Sequence, residues 1–228
     1  MFKRFKIVHR LTFAFLSLGA LVLIVVSTVF YFQFKEALIE RTLEQLSSVN
    51  MLKKKVMEEA VEAKKNKLSY FVQRNDLSGL KTAARDLNLK QIESSLLPDS
   101  LLQEGKIVVF DAGTLLHSDS LLIAYCVPFA AQFFVFVEHP FFIEKALRER
   151  TGMGATGESY IVGQDTLMRT KSRFFPEKKP RTIQVKTLGV KEVLAGREGR
   201  SVIRDYRDVR VLSAYRMLNI EGLKWILL

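Results

Sequence analysis

The stretch from Leu11 to Phe34, LTFAFLSLGALVLIVVSTVFYFQF, carries no charged side chain. A helix rising about 1.5 Å per residue over that length covers the roughly 30 Å hydrocarbon core of a bilayer. A cleaved leader would have a shorter apolar core of about 7–15 residues and a small-residue cleavage site. Here the run ends in VSTVFYF, bulky aromatics suited to a membrane interface, and predicts an uncleaved anchor. Lys3, Arg4, Lys6 and Arg10 precede it, whereas Lys35 and Arg41 after it are diluted by Glu36, Glu40 and Glu44. That asymmetry puts the first ten residues in the cytoplasm and everything after Phe34 outside; Lys53, Lys54 and Lys55 temper the bias.

A second uncharged stretch, Ser120 to Val137, is near the lower length limit for a span. Pro128 interrupts it, and LLIAYCV and QFFVFVE are aromatic and branched runs of strand length, so two buried strands are expected. With 35 Lys+Arg against 24 Asp+Glu the chain is basic, but the charge is spread along it and marks no nucleic-acid-reading module. One cysteine and three scattered histidines supply neither an internal disulfide nor a structural zinc site.

No Gly or Pro occurs between Gly19 and Gly79. Ile39, Leu43, Leu46, Val49, Leu52, Val56, Ala60, Ala63, Leu68 and Phe71 recur at helical spacing, which predicts one long helix leaving the membrane. About forty residues reach on the order of 60 Å. Such a stripe suits packing on the helix's own domain and, alongside it, a parallel homodimer contact; Asn50, Lys53 and Lys67 interrupt a strict coiled-coil seam. DLSGLKTAARDLNLKQIESSLL then reads as one or two short helices ended by Pro98, followed by the strands KIVVFD, LLIAYCV and QFFVFVE. HPFFIEKALRERTG reads as a connector helix closing on Gly152. The remainder parses as strand ESYIVG, turn GQDT, strand LMRTKSRF, a loop through Pro176 and Pro180, a short helix around VKEVLAG, two strands in RSVIRDYRDVRVLSAYRM, and a last strand in GLKWILL. Five strands with a helical insert make an α+β module, not an alternating βαβ chain.

Gly152 to Gly157 spells G-x-G-x-x-G, but a dinucleotide loop needs a strand before it and a helix after it. Here the order is reversed, so a helix stop and crossover is expected. His117-Ser118-Asp119 is no triad signature, because adjacent residues on a strand face opposite ways. With no HExxH, Walker loop, EF-hand or paired CxxC, neither a cofactor nor catalysis is expected. Lys171, Arg173, Lys178, Lys179 and Arg181, beside Phe174 and Phe175, form a basic loop able to attract an anion or to serve as a solvated face. Strand alternation puts Tyr160 with Val162, and Val211 with Ser213 and Tyr215. If these faces line a pocket, Tyr160, Ser213 and Tyr215 supply polar handles and Arg169, Arg173 or Asp205 fix a charged group; ordinary core packing explains the same residues.

The run TGMGATGESYIVGQDTLMRTKSRF, Thr151 to Phe174, resembles Cache sensory domains of bacterial receptors, above all their membrane-proximal module. The likeness continues through Gly196, Gly199, Asp205-Tyr206-Arg207 and Val211 to Tyr215, and ends in Trp225-Ile226-Leu227-Leu228. It covers about residues 132–228. Thr166 stands where such hairpins often have Gly, and Asp208 and Arg210 stand where Gly and Pro are usual. The resemblance implies a PAS-like antiparallel sheet in a reduced double Cache arrangement. Its segments would be a cytoplasmic start (1–10), an anchor (11–34), a long helix (35–75), a reduced distal module (76–138), a connector helix (139–154) and a membrane-proximal module (155–228). It further implies a dimeric sensor in a bacterial inner membrane, residues 35–228 outside, that binds a small molecule and feeds a histidine kinase, chemoreceptor or cyclase. No enzyme activity is expected in the chain itself, and it stops where a second span would be expected, as a fragment or truncated product would. A scaffold that binds a protein partner and no small ligand is the rival expectation.

Overall fold

The computed structural model describes residues 7–98, 101–103 and 105–228. Lys3, Arg4 and Lys6, on which the orientation reading leans, lie outside the described residues. The chain divides into two compact units, one up to Thr42 and one from Leu43.

Helix α1 (Ile7–Gln73) begins in the first unit, where the large apolar side chains from Leu11 to Phe34 are exposed. It is long and apolar enough to cross a membrane.

In the second unit, α1 is followed by α2 (Leu77–Asp86), β1 (Lys90–Ile92), β2 (Val108–Asp111), α3 (Ala112–Leu115), β3 (Ile123–Phe129), β4 (Gln132–Glu138) and α4 (Phe141–Arg148). Then come β5 (Ile161–Gly163), α5 (Leu188–Leu194), β6 (Gly199–Arg204), β7 (Arg210–Met217) and β8 (Trp225–Leu227). Asp76 caps α2 by accepting from the Gly79 amide, and Thr187 caps α5 by accepting from that of Val190. Two antiparallel sheets result, ordered β1-β4-β3-β2 and β5-β8-β7-β6. The unit is therefore α+β.

Ser120 to Val137 forms no second span. β3 and β4 pair from Ile123↔Glu138 to Phe129↔Gln132, and β3 is buried on both faces, hence its unbroken apolar run. Ile123, Tyr125 and Val127 join the core shared with α1, whereas Ala124 and Cys126 pack on the far side with Phe110, Val135 and Val137. The last strand alternates likewise: Trp225 and Leu227 enter the shared core, Ile226 and Leu228 the separate core of the second sheet. Met57, Val61 and Leu68 bring α1 into the shared core, at about 1.5–3 kcal/mol for each large side chain removed from water.

Four expectations are corrected. KQI, read as helical, is strand β1 and completes the edge beside β4, because the helical segment stops at the Leu87–Asn88 turn with Asn88 at φ +56°. α4 ends at Arg148, not Gly152, since Glu149 is already extended. LMRTKSRF forms no continuous strand: it is held by single bridges, Val162↔Met168 and Leu167↔Gln184, and by scattered backbone hydrogen bonds such as Arg169 N–H to Ile161 O (2.7 Å), so the second sheet has four strands. On α1, Leu52, Val56 and Ala63 are exposed, and Asn50 and Lys53, which read as interruptions, are buried. The glycine motif does link a helix to a strand: Gly152 and Gly154 take φ of +80° and +70°.

Candidate functional site

The six residues picked out by sequence occupy five surroundings. Tyr160 is buried edge-on to Tyr206, ring centroids 5.4 Å apart, and burial raises both phenols above their ordinary range. The Tyr206 hydroxyl donates to Glu158 (2.6 Å) and lies 2.7 Å from that of Ser172. Asp205 closes the β6–β7 turn, accepting from the Arg207 and Val209 amides at 2.8 and 3.1 Å and from Arg207 Nε at 2.8 Å. Arg207 in turn lies 3.5 Å over the Phe174 ring. Ser213 pairs across the ladder with Ser201, whose hydroxyl lies 3.2 Å from that of Tyr215. Tyr215 packs with Val190 and Val193; a Cβ on Gly189 would come within 2.7 Å of its ring, so α5 approaches β7 through that glycine.

Arg169 belongs to a buried ion-pair network. Its Nε donates to Asp111 Oδ2 (2.7 Å) and its Nη2 to Asp165 (2.8 Å). Asp111 also accepts from Trp225 Nε1 (3.2 Å) and from Arg181, which reaches Thr114 Oγ1 at 2.7 Å. Burial pushes the Asp111 carboxyl up, but hydrogen bonds and charge from Arg169 and Arg181 outweigh it and hold the group below the usual carboxylate range. A Cβ on Gly163 would meet the Arg169 guanidinium at 2.1 Å, so only glycine lets that group lie across the strand. Through Asp111 the network links β2 of the first sheet to β8 of the second.

Arg173 lines a cleft of about 430 Å³ between the end of α4 and the chain at 157–159 and 170–173. Four cationic side chains, Arg148, Arg150, Lys171 and Arg173, face two acidic ones, Glu144 and Glu158. Arg173 donates to the carbonyls of Gly157 (2.9 Å) and Ala155 (2.8 Å), which position its guanidinium without neutralising it. Glu158 accepts from the Arg173 amide (2.6 Å) as well as from Tyr206, and Glu144 lies 3.6 Å from Arg148. The basic loop is thus divided: Arg181 serves the buried network, Lys179 pairs with Asp119 at 2.9 Å, Lys178 sits over Phe175, and Lys171 and Arg173 serve the cleft.

Behind the cleft stands Lys53 of α1. Its ammonium donates to the carbonyl of Glu149 (2.6 Å) and to the hydroxyl of Ser159 (3.0 Å), a cleft residue. Burial lowers its pKa from 10.5 to about 8, against the pull of Glu149. Asn50 donates to the carbonyls of Ala214 (3.2 Å) and Leu227 (3.3 Å), and Lys54 to that of Met217 (2.7 Å). On the first sheet, Lys64 pairs with Glu138, which accepts from the Tyr125 hydroxyl at 2.7 Å. Sequence reasoning missed Arg148, Arg150, Lys53 and Asp111 as site residues; the only signals were cations at a helix end and a lysine breaking an apolar stripe. Among the described residues no cluster of His, Cys, Asp or Glu could hold a metal ion. No protein-family model and no curated protein matches the chain.

Proposed function

We propose that this chain is the sensing region of a transmembrane receptor of Cache type, anchored in a bacterial inner membrane with residues 35–228 outside. It binds a small molecule, acts by binding and not by catalysis, uses no cofactor, and relays occupancy through α1 to an output domain elsewhere, a histidine kinase above the alternatives. One observation carries this reading: the helix that bears the apolar stretch also bears Asn50, Lys53, Lys54 and Lys64, whose polar ends are bonded to both sheets and to the cleft wall. A shift of either sheet therefore strains contacts on that helix. Two four-stranded antiparallel sheets support the double-module layout. The exposed Leu52, Val56 and Tyr70 support a second copy packed along α1, and no nucleic acid is called for.

The test is thermal unfolding of the full chain in detergent against carboxylates, amino acids, amines, purines and phosphates. A ligand bound only by the native state stabilises it by about 2.7 kcal/mol at a hundred times its Kd. A saturable rise in midpoint is expected. No rise across the panel with folded protein would replace this reading with a scaffold whose partner covers the exposed face of α1.

A further inference from the structure

We infer that the cleft beside α4 is a binding site for a phosphate-class dianion, inorganic phosphate or a phosphomonoester. Its excess of two positive charges comes from side chains that nothing inside the protein neutralises. Arg150 and Lys171 are exposed and, among the described residues, have no ion pair, while the Arg173 guanidinium is spent on two uncharged carbonyls. The acidic members are occupied: Glu158 by the Arg173 amide and Tyr206, Glu144 by Arg148 and His139. Both keep their charge, and the four cations of the cleft outnumber them by two.

Two hydroxyls on the wall favour the same ligand. Thr170 Oγ1 accepts from the Ile161 amide (3.3 Å), which leaves its proton to donate, and the Ser159 hydroxyl accepts from Lys53 and donates only to the Met153 sulfur at 3.5 Å, a weak acceptor. A tetrahedral dianion accepts from several directions at once and matches both the charge and the spread of donors. A single carboxylate leaves one cation unanswered. The cleft's volume of about 430 Å³ admits a phosphomonoester with a small organic group. The inference rests on the sensor reading for what occupancy does, but not for whether the anion binds.

The probes are inorganic phosphate and glycerol phosphate added to the full chain in detergent, and nanodiscs with or without phosphatidic acid, read by thermal unfolding and by amide exchange along α1. We expect a saturable rise in midpoint that the double substitution Arg150→Gln, Lys171→Gln weakens at least about tenfold, the equivalent of about 1.4 kcal/mol. The control Lys224→Gln, an exposed lysine outside the cleft, should leave it unchanged. A response to the free anions identifies a soluble ligand; one seen only with phosphatidic acid identifies a lipid headgroup, and either supports the site. Absence of response to all three probes overturns it, as does a response that the double substitution leaves intact. Binding without altered exchange around Lys53 keeps the site and removes the sensor reading, whereas a response to another panel compound alone keeps the sensor reading and removes the site.

Discussion

Asp111 collects hydrogen bonds from Arg169, Arg181 and Trp225, three side chains remote in sequence, so its charge matters more than its size. Asp111→Asn keeps the shape but leaves two guanidinium groups buried beside a neutral amide. Unfolding free energy from denaturant titration should fall by about 3–5 kcal/mol. Because the folded carboxyl titrates below its ordinary value, its stabilisation is present above that value and is lost as pH falls through the folded one. The Lys53 ammonium gives the same direction of pH dependence in a higher window, since its folded pKa of about 8 also lies below the ordinary 10.5. Between those values the unfolded chain holds more protons, so the Lys53 contribution rises with pH by up to about 1.4 kcal/mol per unit. The stability of the wild type relative to Lys53→Met should therefore climb from pH 8 towards pH 10, and a flat difference would show that the amine is solvated. Thr166 and Asp208, conspicuous in sequence for standing where glycine is usual, take φ of +64° and +62°. Thr166→Gly is expected to add about 1 kcal/mol to stability and Asp208→Gly less, because Asp tolerates the left-handed region better. The left-handed backbone at Thr166 was not legible from residue type, since a β-branched side chain disfavours it, and nothing in the types of Asp111, Arg169 and Arg181 announced that they would meet.

At the scale of elements, α1 is both the most legible part of the chain and the one whose faces were misassigned. Length, absence of Gly and Pro, and apolar recurrence all specify a helix, and they do so locally. Which face goes inward depends on what the sheets present. Carbonyls of Ala214, Leu227, Met217 and Glu149 meet it, so Asn50, Lys53 and Lys54 turn towards them, and Leu52 and Val56 remain outside. Burying a polar group without a partner costs roughly 1–3 kcal/mol, and these carbonyls supply the partners. If a second copy covers the outer face, Leu52→Cys or Val56→Cys in membranes should yield oxidised dimers, and Met57→Cys, on the buried face, should not. The native Cys126 will not interfere: it is buried, and burial pushes its thiol up to about 11. The strands β3 and β4 were readable for a different reason, because Pro128 and aromatic runs of strand length exclude a span. The segment LMRTKSRF was misread because alternation does not reveal that Arg169 would leave the ladder for Asp111 and Asp165.

For the molecule as a whole, the proposed orientation makes a checkable statement: protease added to intact spheroplasts should digest residues beyond Phe34, and digestion only after lysis would reverse the sidedness. Composition and local pattern alone determined the apolar helix, its continuation outside the apolar stretch, the α+β content and most strand positions. They could do so because hydrophobic run length, Gly and Pro placement and periodicity act over a few turns or one strand. What folding in three dimensions added is that the residues form two four-stranded sheets sharing a core with α1, that Arg169 meets Asp111, and that Arg150, Lys171 and Arg173 converge on one cleft. These are meetings between residues far apart in the chain. They are set by which buried charges and carbonyls must be satisfied together, a condition that no local window of sequence contains.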